Sequence, residues 1–135
     1  MFVDTSAVVA LVAGEPEARE LADALAKAER RYSAPHVRLE AAMVLSTKLD
    51  VAPSQAVVLF DELLREADIA IVPITDKIGE LAVACFEKYG KGRGHPARLN
   101  LADCLSYACA KAHGAPLLFK GDDFSQTDVD QGLQR

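Results

Sequence analysis

The sequence predicts a single α/β domain with a central parallel sheet of about four to five strands, flanked by helices. Short apolar runs alternate along the chain with longer helical segments, a pattern typical of parallel sheets that are covered on both faces. The chain has 135 residues, half of them hydrophobic, which suffices for one core but is short for two. Residues 1–135 are therefore expected to form one domain.

The N-terminal segment predicts a strand followed by two helices. Residues 1–3 form an apolar run, and Thr5 or Ser6 after it can cap a helix that continues to Ala13. The glycine that follows stops this helix, and the proline two residues later suits the first turn of a second helix over residues 16–28.

The central segment predicts two strands separated by a pair of helices. Residues 32–34 form the first of these strands, and helices follow over residues 35–48 and 53–67. Residues 69–72 are rich in β-branched side chains and are closed by a proline, so they predict a buried strand.

The C-terminal segment predicts two helices, a loop between them and a last strand. Thr75 begins a helix that continues to about residue 89, and a very apolar helix covers residues 100–113. Residues 90–98 contain three glycines and a proline, which predicts a loop. Residues 117–119 form the last strand.

Acidic residues directly follow the first and the last predicted strands. Asp4 lies just past the first strand, and Asp122 and Asp123 lie just past the last. Because ligands of such sheets bind beyond the carboxyl ends of the strands, these acids are expected to meet at one edge. Each also has an ordinary explanation, since Asp4 can cap the following helix and Gly-Asp is common in turns.

Glu40 is harder to explain by local structure. It falls in the predicted apolar stripe of its helix, where a carboxylate must be paired, protonated or bound to a metal. The stripe consists of Val37, Ala41, Val44 and Leu45.

Asp103 is the only charged residue in the apolar segment from residue 99 to residue 110. Its ordinary explanation is that Asn100 caps the helix and that Asp103 interacts favourably with the helix dipole in the first turn. That explanation does not also account for Glu40.

Convergence of four or five acids, with no basic residue predicted among them, favours a metal site. Carboxylates so close together repel one another strongly, and a hard divalent cation such as magnesium removes that repulsion. Such a site can activate a water molecule for phosphodiester cleavage. The spacing alone does not separate a nuclease from a phosphatase, although a phosphatase of the haloacid-dehalogenase type would have an aspartate where Ser6 stands.

The net charge of −5 argues mildly against a nucleic-acid partner. This objection weakens if the excess acid belongs to a metal site, and because basic residues cluster in one stretch. The cluster consists of Lys88, Lys91, Arg93 and Arg98.

The cysteines and histidines show neither CxxC spacing nor an i,i+4 histidine pair, so they predict no zinc site or disulfide framework. The cysteines are expected in the core, and the histidines are expected to be structural or solvated. They are Cys85, Cys104, Cys109, His36, His95 and His113. No apolar run approaches the length of a membrane span, and Asp4 interrupts the apolar N-terminus, so a cytoplasmic location is expected.

Motifs along the whole chain carry a family resemblance. They are Phe-Val-Asp-Thr-Ser-Ala at residues 2–7, Gly-Glu-Pro-Glu-Ala at 14–18, Arg-Leu-Glu-Ala-Ala at 38–42, Tyr-Gly-Lys-Gly-Arg at 89–93, Leu-Asn-Leu-Ala-Asp-Cys-Leu-Ser-Tyr-Ala at 99–108 and Pro-Leu-Leu-Phe-Lys-Gly-Asp-Asp-Phe-Ser-Gln-Thr-Asp at 116–128. In this order they resemble the PIN-domain family, specifically the VapC-type toxins of bacterial toxin–antitoxin pairs.

The resemblance implies a PIN-like fold, a magnesium or manganese ion, and ribonuclease activity against structured cellular RNA. It also implies a homodimer and a cognate VapB-type antitoxin that blocks the site.

Carried over to this chain, the resemblance implies that Asp4, Glu40 and Asp103 are the main catalytic and metal-binding acids. Thr5 or Ser6 would hold Asp4 or a metal-bound water. The fourth acid stays open between Asp122 and Asp123, because a glycine stands where many members have the acid. Asp122 is favoured because it is nearer the end of the strand.

The leading hypothesis is therefore a magnesium-dependent endoribonuclease toxin, in which the acids hold a metal-activated water. Lys91, Arg93 and Arg98 are hypothesised to contact RNA phosphates, with a solvated surface loop as the alternative. A catalytically silent PIN-like binding module and a magnesium-dependent phosphatase remain alternatives. The intact acids argue against the silent module.

Overall fold

A parallel sheet of four short strands forms the centre of the computed structural model, which describes residues 1–133. The strands are β1 (Phe2–Val3), β2 (Tyr32–Ser33), β3 (Ala70–Ile71) and β4 (Leu117–Leu118). Their order is β3-β2-β1-β4, and every neighbouring pair is parallel. The carboxyl ends of all four strands therefore point to one edge, as the predicted α/β architecture requires.

Six helices in the described part of the chain surround this sheet, and they follow the predicted bounds closely. They are α1 (Thr5–Ala13), α2 (Ala18–Lys27), α3 (Pro35–Lys48), α4 (Pro53–Glu66), α5 (Asp76–Tyr89) and α6 (Leu101–Ala112). The glycine after α1 adopts φ 65°, a left-handed conformation that ends the helix at little cost because glycine has no Cβ.

Two predicted helix starts need correction. The N-cap of α1 is Asp4, whose carboxylate accepts a hydrogen bond from the Ser6 N–H, and not Thr5 or Ser6. The second helix begins at Ala18 rather than at Pro16, because the proline lies in a turn between the two helices.

The third predicted strand is an edge strand, not a fully buried one. β3 pairs only with β2, and the side chains of Ala70 and Ile71 are both exposed. The residues on either side of the strand, Ile69 and Val72, are the ones that pack into the core.

The core lies between the sheet and the inward faces of the helices. Strand residues Phe2, Val3, Leu117 and Leu118 are fully buried, as is Phe60 of α4. Burial of each such large side chain contributes roughly 1.5–3 kcal/mol to the free energy of unfolding. The three cysteines are buried and unpaired, which confirms that they are core residues.

No single helix within residues 1–133 is long and apolar enough to cross a membrane. The bent pair α3–α4 meets that test only when both helices are taken together, on length and composition alone.

Gly79, within α5, and Gly90, directly after its last residue, give a test of this packing. A Cβ at Gly79 meets no atom within 4 Å, whereas one at Gly90 would lie 2.5 Å from the backbone oxygen of Phe86. Gly79→Ala should therefore raise the free energy of unfolding by roughly 1 kcal/mol through helix propensity. Gly90→Ala should lower it by about 1–3 kcal/mol through overpacking. Urea denaturation measures both changes, and changes of the same sign would contradict the placement of the loop after α5.

Candidate active site

Asp4 is held at the carboxyl edge of the sheet by both its backbone and its side chain. It is 4% exposed, and its backbone N–H donates to the Leu118 carbonyl at 3.0 Å, next to β4. Carboxylate Oδ2 accepts from the Ser6 N–H at 3.1 Å and from the Ser6 hydroxyl at 2.7 Å. The same hydroxyl accepts from the Lys120 N–H at 3.0 Å. These bonds orient Asp4, and within residues 1–133 its side-chain hydrogen bonds use only Oδ2.

Asp103 lies in the first turn of α6 and forms a reciprocal cap with Asn100. Asn100 Oδ1 accepts from the Asp103 N–H at 2.9 Å, and Asp103 Oδ2 accepts from the Asn100 N–H at 3.1 Å. The prediction that Asn100 caps this helix, with Asp103 in its first turn, is therefore confirmed.

The pKa of Asp103 shows that this residue does more than cap a helix. Burial is the largest cause that raises the pKa of Asp103 to about 7, and the bond from the Asn100 backbone opposes it. Neighbouring negative charges raise the pKa further, and they belong to Asp4, Asp123 and Glu40. Three acids from separate parts of the sequence thus act on Asp103 at this edge.

Glu40 lies on α3, half-buried beside the site. Burial raises the pKa of Glu40, and the charge of Asp4 raises it further. The Thr5 hydroxyl counteracts this increase through a contact that falls short of good hydrogen-bond geometry, which leaves Oγ1 without a full partner among the described residues. The prediction that Val44 belongs to the buried apolar stripe is wrong, because its side chain is 41% exposed. Glu40 therefore borders the buried stripe instead of lying in its middle.

Asp122 and Asp123, the two candidates for the fourth acid, both have exposed carboxylates. The charge of Asp123 acts on Asp103 and raises its pKa. The backbone oxygen of Asp122 accepts from the Ser125 N–H at 3.2 Å and from the Ser125 hydroxyl at 2.6 Å. The chain therefore turns at Asp122, directly before Asp123.

His36 is a neighbour of the site that the sequence reasoning left as structural or solvated. Its ring stacks on Phe2 at a centroid distance of 6.2 Å, and Nε2 lies 2.9 Å from the Ser106 hydroxyl. Burial lowers the pKa of His36, which the charge of Asp4 opposes. His36 thus links α3 to α6 beneath the acids. Its position one helical turn before Glu40 is the signal that pointed to this location.

The acids fit a hard divalent cation by their chemistry. Their donors are carboxylate oxygens, the ligands that magnesium prefers. Burial, and then the charges of Asp4, Asp123 and Glu40, raise the pKa of Asp103, a cost that a bound divalent cation would offset. Within residues 1–133, no three acidic, histidine or cysteine side chains already enclose a metal-sized site. Magnesium needs no such enclosure, because it keeps several waters and is commonly held by one or two carboxylates.

The basic loop leads directly into this site. It is closed by backbone bonds from Lys91 N–H to the Leu99 carbonyl at 2.8 Å and from Leu99 N–H to the Tyr89 carbonyl at 2.9 Å. Lys91, Arg93 and Arg98 are exposed, and none forms an ion pair with another described residue. Arg98 stands two residues before the N-cap of α6, the helix that carries Asp103.

Comparison with known proteins places this chain in a family. The family model described as PIN domain matches residues 1–130. Ribonuclease VapC28 from Mycobacterium tuberculosis is 44% identical over 135 residues, which cover 100% of this chain and 99% of that protein. The chain therefore belongs to the PIN domain family and, within it, groups with the VapC ribonucleases.

Two solved structures share the fold. The crystal structure of VapC20 from Mycobacterium tuberculosis, a sarcin-ricin loop cleaving toxin, has a TM-score of 0.72 at 22% identity and covers 95% of each chain. A toxin–antitoxin complex from Klebsiella pneumoniae has a TM-score of 0.67 at 21% identity, covering 99% of this chain and 98% of that one. At these identities the likeness concerns the fold, and it confirms the predicted PIN-like architecture.

The raised pKa of Asp103 predicts how the metal-free protein responds to pH. Between the ordinary value of 3.8 and about 7, the folded state holds a proton that the unfolded state has lost. In EDTA, the free energy of unfolding should therefore fall as pH rises through this window and level off above it. At pH 8, Asp103→Asn should be more stable than wild type, by of order 1 kcal/mol after allowance for partial exposure.

Asp76→Asn is the matched control, because Asp76 is an exposed acid in the first turn of α5. Its loss should destabilise the protein by roughly 0.3–1 kcal/mol, the opposite sign. Thermal melts in EDTA measure both variants. If Asp103→Asn also melts below wild type, Asp103 is only a capping residue.

Proposed function

We propose that this chain is a divalent-metal-dependent endoribonuclease, the toxin of a toxin–antitoxin pair. The observation that carries the proposal is the group of acids around Asp103 at the carboxyl edge of the sheet, where burial first, and then the charges of Asp4, Asp123 and Glu40, raise the pKa of Asp103. The strong similarity to Ribonuclease VapC28 supports RNA as the substrate.

Asp4, Glu40, Asp103 and Asp123 would hold the metal, which we propose to be magnesium, with manganese as a substitute. When bound, the ion would lower the pKa of a water molecule and neutralise the charge of the acids. Ser6 orients Asp4 through two hydrogen bonds, and the cap with Asn100 fixes one oxygen of Asp103.

Glu40 would accept a proton from the attacking water in this proposal. Burial raises its pKa, as it raises that of Asp103, and a carboxylate with a raised pKa is a better general base near neutral pH. We assign the proton transfer to Glu40 because one oxygen of Asp103 already accepts a hydrogen bond from the Asn100 N–H. The Thr5 hydroxyl, which lacks a full partner among residues 1–133, lies beside Glu40 and would orient the carboxylate or the water.

The exposed basic residues of the loop before α6 supply the contacts to RNA phosphates in this proposal. Lys91, Arg93 and Arg98 have no acidic partner within the described residues, so their charges are available to a polyanion. The loop ends beside the first turn of α6, which would place the bound backbone next to Asp103.

In this proposal, an antitoxin binds the chain and covers the acids. The chain also forms a homodimer and acts in the cytoplasm. The antitoxin is supported by the fold shared with the toxin–antitoxin complex from Klebsiella pneumoniae. The homodimer rests on the family resemblance.

The alternatives are less well supported by the site. In a catalytically silent binding module, no selection would maintain four acids that repel one another. A phosphatase of the haloacid-dehalogenase type needs an acid two residues after Asp4, and Ser6 occupies that position as a hydrogen-bond partner of Asp4. A phosphate monoester assayed beside RNA distinguishes the phosphatase directly.

Loss of either of two site acids should abolish RNA cleavage without unfolding the protein. Asp4→Asn and Asp103→Asn should each reduce the cleavage rate by at least about a hundredfold, because each removes a charged group that holds the metal, and loss of a mere outer-shell residue already costs up to about that much. Asp23→Asn, an exposed acid of α2, is the control and should cleave like wild type. Cleavage of a labelled RNA is measured with magnesium and with excess EDTA. Full cleavage by both site variants, or undiminished cleavage in EDTA, contradicts the proposal.

Neutralisation of the basic loop should weaken RNA binding and flatten its salt dependence. In an Asp4→Asn background, which leaves the RNA uncut, Lys91, Arg93 and Arg98 are replaced together by glutamine. The slope of log K against log salt should fall by about 2, because each phosphate contact to a single strand contributes about 0.7. Glutamine at the exposed Arg19, Lys27 and Arg30 removes the same charge elsewhere and should leave the slope near wild type. Equal slopes for the two triple variants would place the RNA on another surface.

A further inference from the structure

The segment that follows β4 carries Asp123 and is anchored on both sides of it. On the near side, the Lys120 N–H donates to the Ser6 hydroxyl at 3.0 Å, and Lys120 Nζ donates to Glu15 Oε2 at 2.7 Å. On the far side, the Tyr107 hydroxyl donates to Asp128 Oδ1. Asp123 lies between these two anchors, in a loop without a helix or strand of its own.

Asp128 makes the far anchor with α6. Besides the bond from Tyr107, Lys111 Nζ lies 3.4 Å from Asp128 Oδ2 and donates to the Asp128 backbone oxygen at 3.3 Å. Tyr107 is buried, so its hydroxyl bond to Asp128 is shielded from competing water better than an exposed ion pair. Asp128 is therefore tied to α6 through both its side chain and its backbone.

The acid and the anchors share one face of α6. Asp103, Tyr107 and Lys111 follow one another at intervals of four residues, which places them along one side of a helix. Asp103 belongs to the acid cluster, and the next two hold Asp128. A single rigid helix therefore sets the distance between Asp103 and the anchor of the loop that carries Asp123.

The chain between Asp123 and Asp128 is folded tightly enough to transmit this constraint. Phe124 is 2% exposed and packs edge-on against Phe119 at 5.2 Å. The Phe124 carbonyl accepts from the Thr127 N–H at 3.1 Å and from the Thr127 hydroxyl at 2.7 Å. A shift of Asp128 would thus move this turn, and Asp123 with it.

We propose that Asp128, held by Tyr107, is a positioning residue that keeps Asp123 beside Asp103, and this inference rests on the proposed function of the acid cluster. Asp128 touches neither substrate nor metal in this account. It acts through Asp123, by fixing the loop on α6.

Manganese affinity of the full chain tests the proposal without relying on activity. Calorimetry compares wild type with four single variants and with the double variant of Asp123 and Asp128. The single variants are Asp103→Asn, Asp123→Asn, Asp128→Asn and Tyr107→Phe. Asp128→Asn and Tyr107→Phe should each weaken manganese binding by about tenfold, the lower end of the effect of outer-shell substitutions. In the Asp123→Asn background, Asp128→Asn should add less than about a twofold loss, because the residue it acts through is already neutral.

Asp130→Asn is the matched control. It removes the same charge two residues further along, where the side chain is exposed and the backbone oxygen accepts from the Leu117 N–H at 2.8 Å. Its manganese affinity should stay within about twofold of wild type, which separates anchoring from a long-range effect of charge. Tyr107→Phe removes only a hydroxyl, so it carries the test if Asp128→Asn proves unstable.

Two failures are distinguishable. If Asp128→Asn and Tyr107→Phe bind manganese like Asp130→Asn while Asp103→Asn and Asp123→Asn bind weakly, the positioning role is wrong and the proposed site stands. An equal loss on Asp128→Asn in both backgrounds would also overturn the role, because it would show an effect independent of Asp123. If Asp103→Asn binds manganese as tightly as wild type, the proposed site itself is wrong.

Discussion

The hydrogen bonds that hold Asp4 are the interaction on which the arrangement of the site depends. The residue follows β1, one of the two inner strands of the sheet, and its backbone is bonded to the chain at the end of β4. Its carboxylate is bonded to Ser6 in the first turn of α1, and Ser6 is in turn bonded to Lys120 after β4. The parallel sheet thus brings the start of α1 and the C-terminal loop to one carboxylate, around which α3 and α6 place the other acids.

The clustering of carboxylates at this edge destabilises the folded protein. Partial burial and then the charges of neighbouring carboxylates raise the free energy of the charged folded state, and the raised pKa values of Asp103 and Glu40 express that cost. The fold tolerates this cost because its large apolar core stabilises it, with Phe2, Val3 and Leu118 completely buried. Stability given up at a site is a common signature of function. The cap that Asp103 forms with Asn100 shows that one side chain can serve the helix and the site together.

Local chemistry in the sequence predicted the helices well, because their signals are short-range. Asn100 and Thr75 cap helices where expected, and α3 has the predicted bounds. Asp4, Glu40 and Asp103 could be selected as site candidates from the sequence because each breaks an apolar pattern or follows a strand. The edge position of β3 could not be predicted, since strand order is a property of the whole sheet. The sequence also leaves the fourth acid open between Asp122 and Asp123, because an irregular turn separates them from the strand. It does not reveal the bond between Asp128 and Tyr107, which lies 21 residues earlier.

The central claim is that four acids share one electrostatic environment at the carboxyl edge of the sheet. The most direct measurement is a carboxyl-carbon NMR titration of the metal-free protein with labelled aspartate. The account predicts that Asp103 titrates at about 7, against an ordinary value of 3.8. It also predicts that the midpoint moves down when Asp123 is neutralised, because one of the repelling charges has gone. A midpoint near the ordinary value, unchanged by the loss of Asp123, would contradict the account.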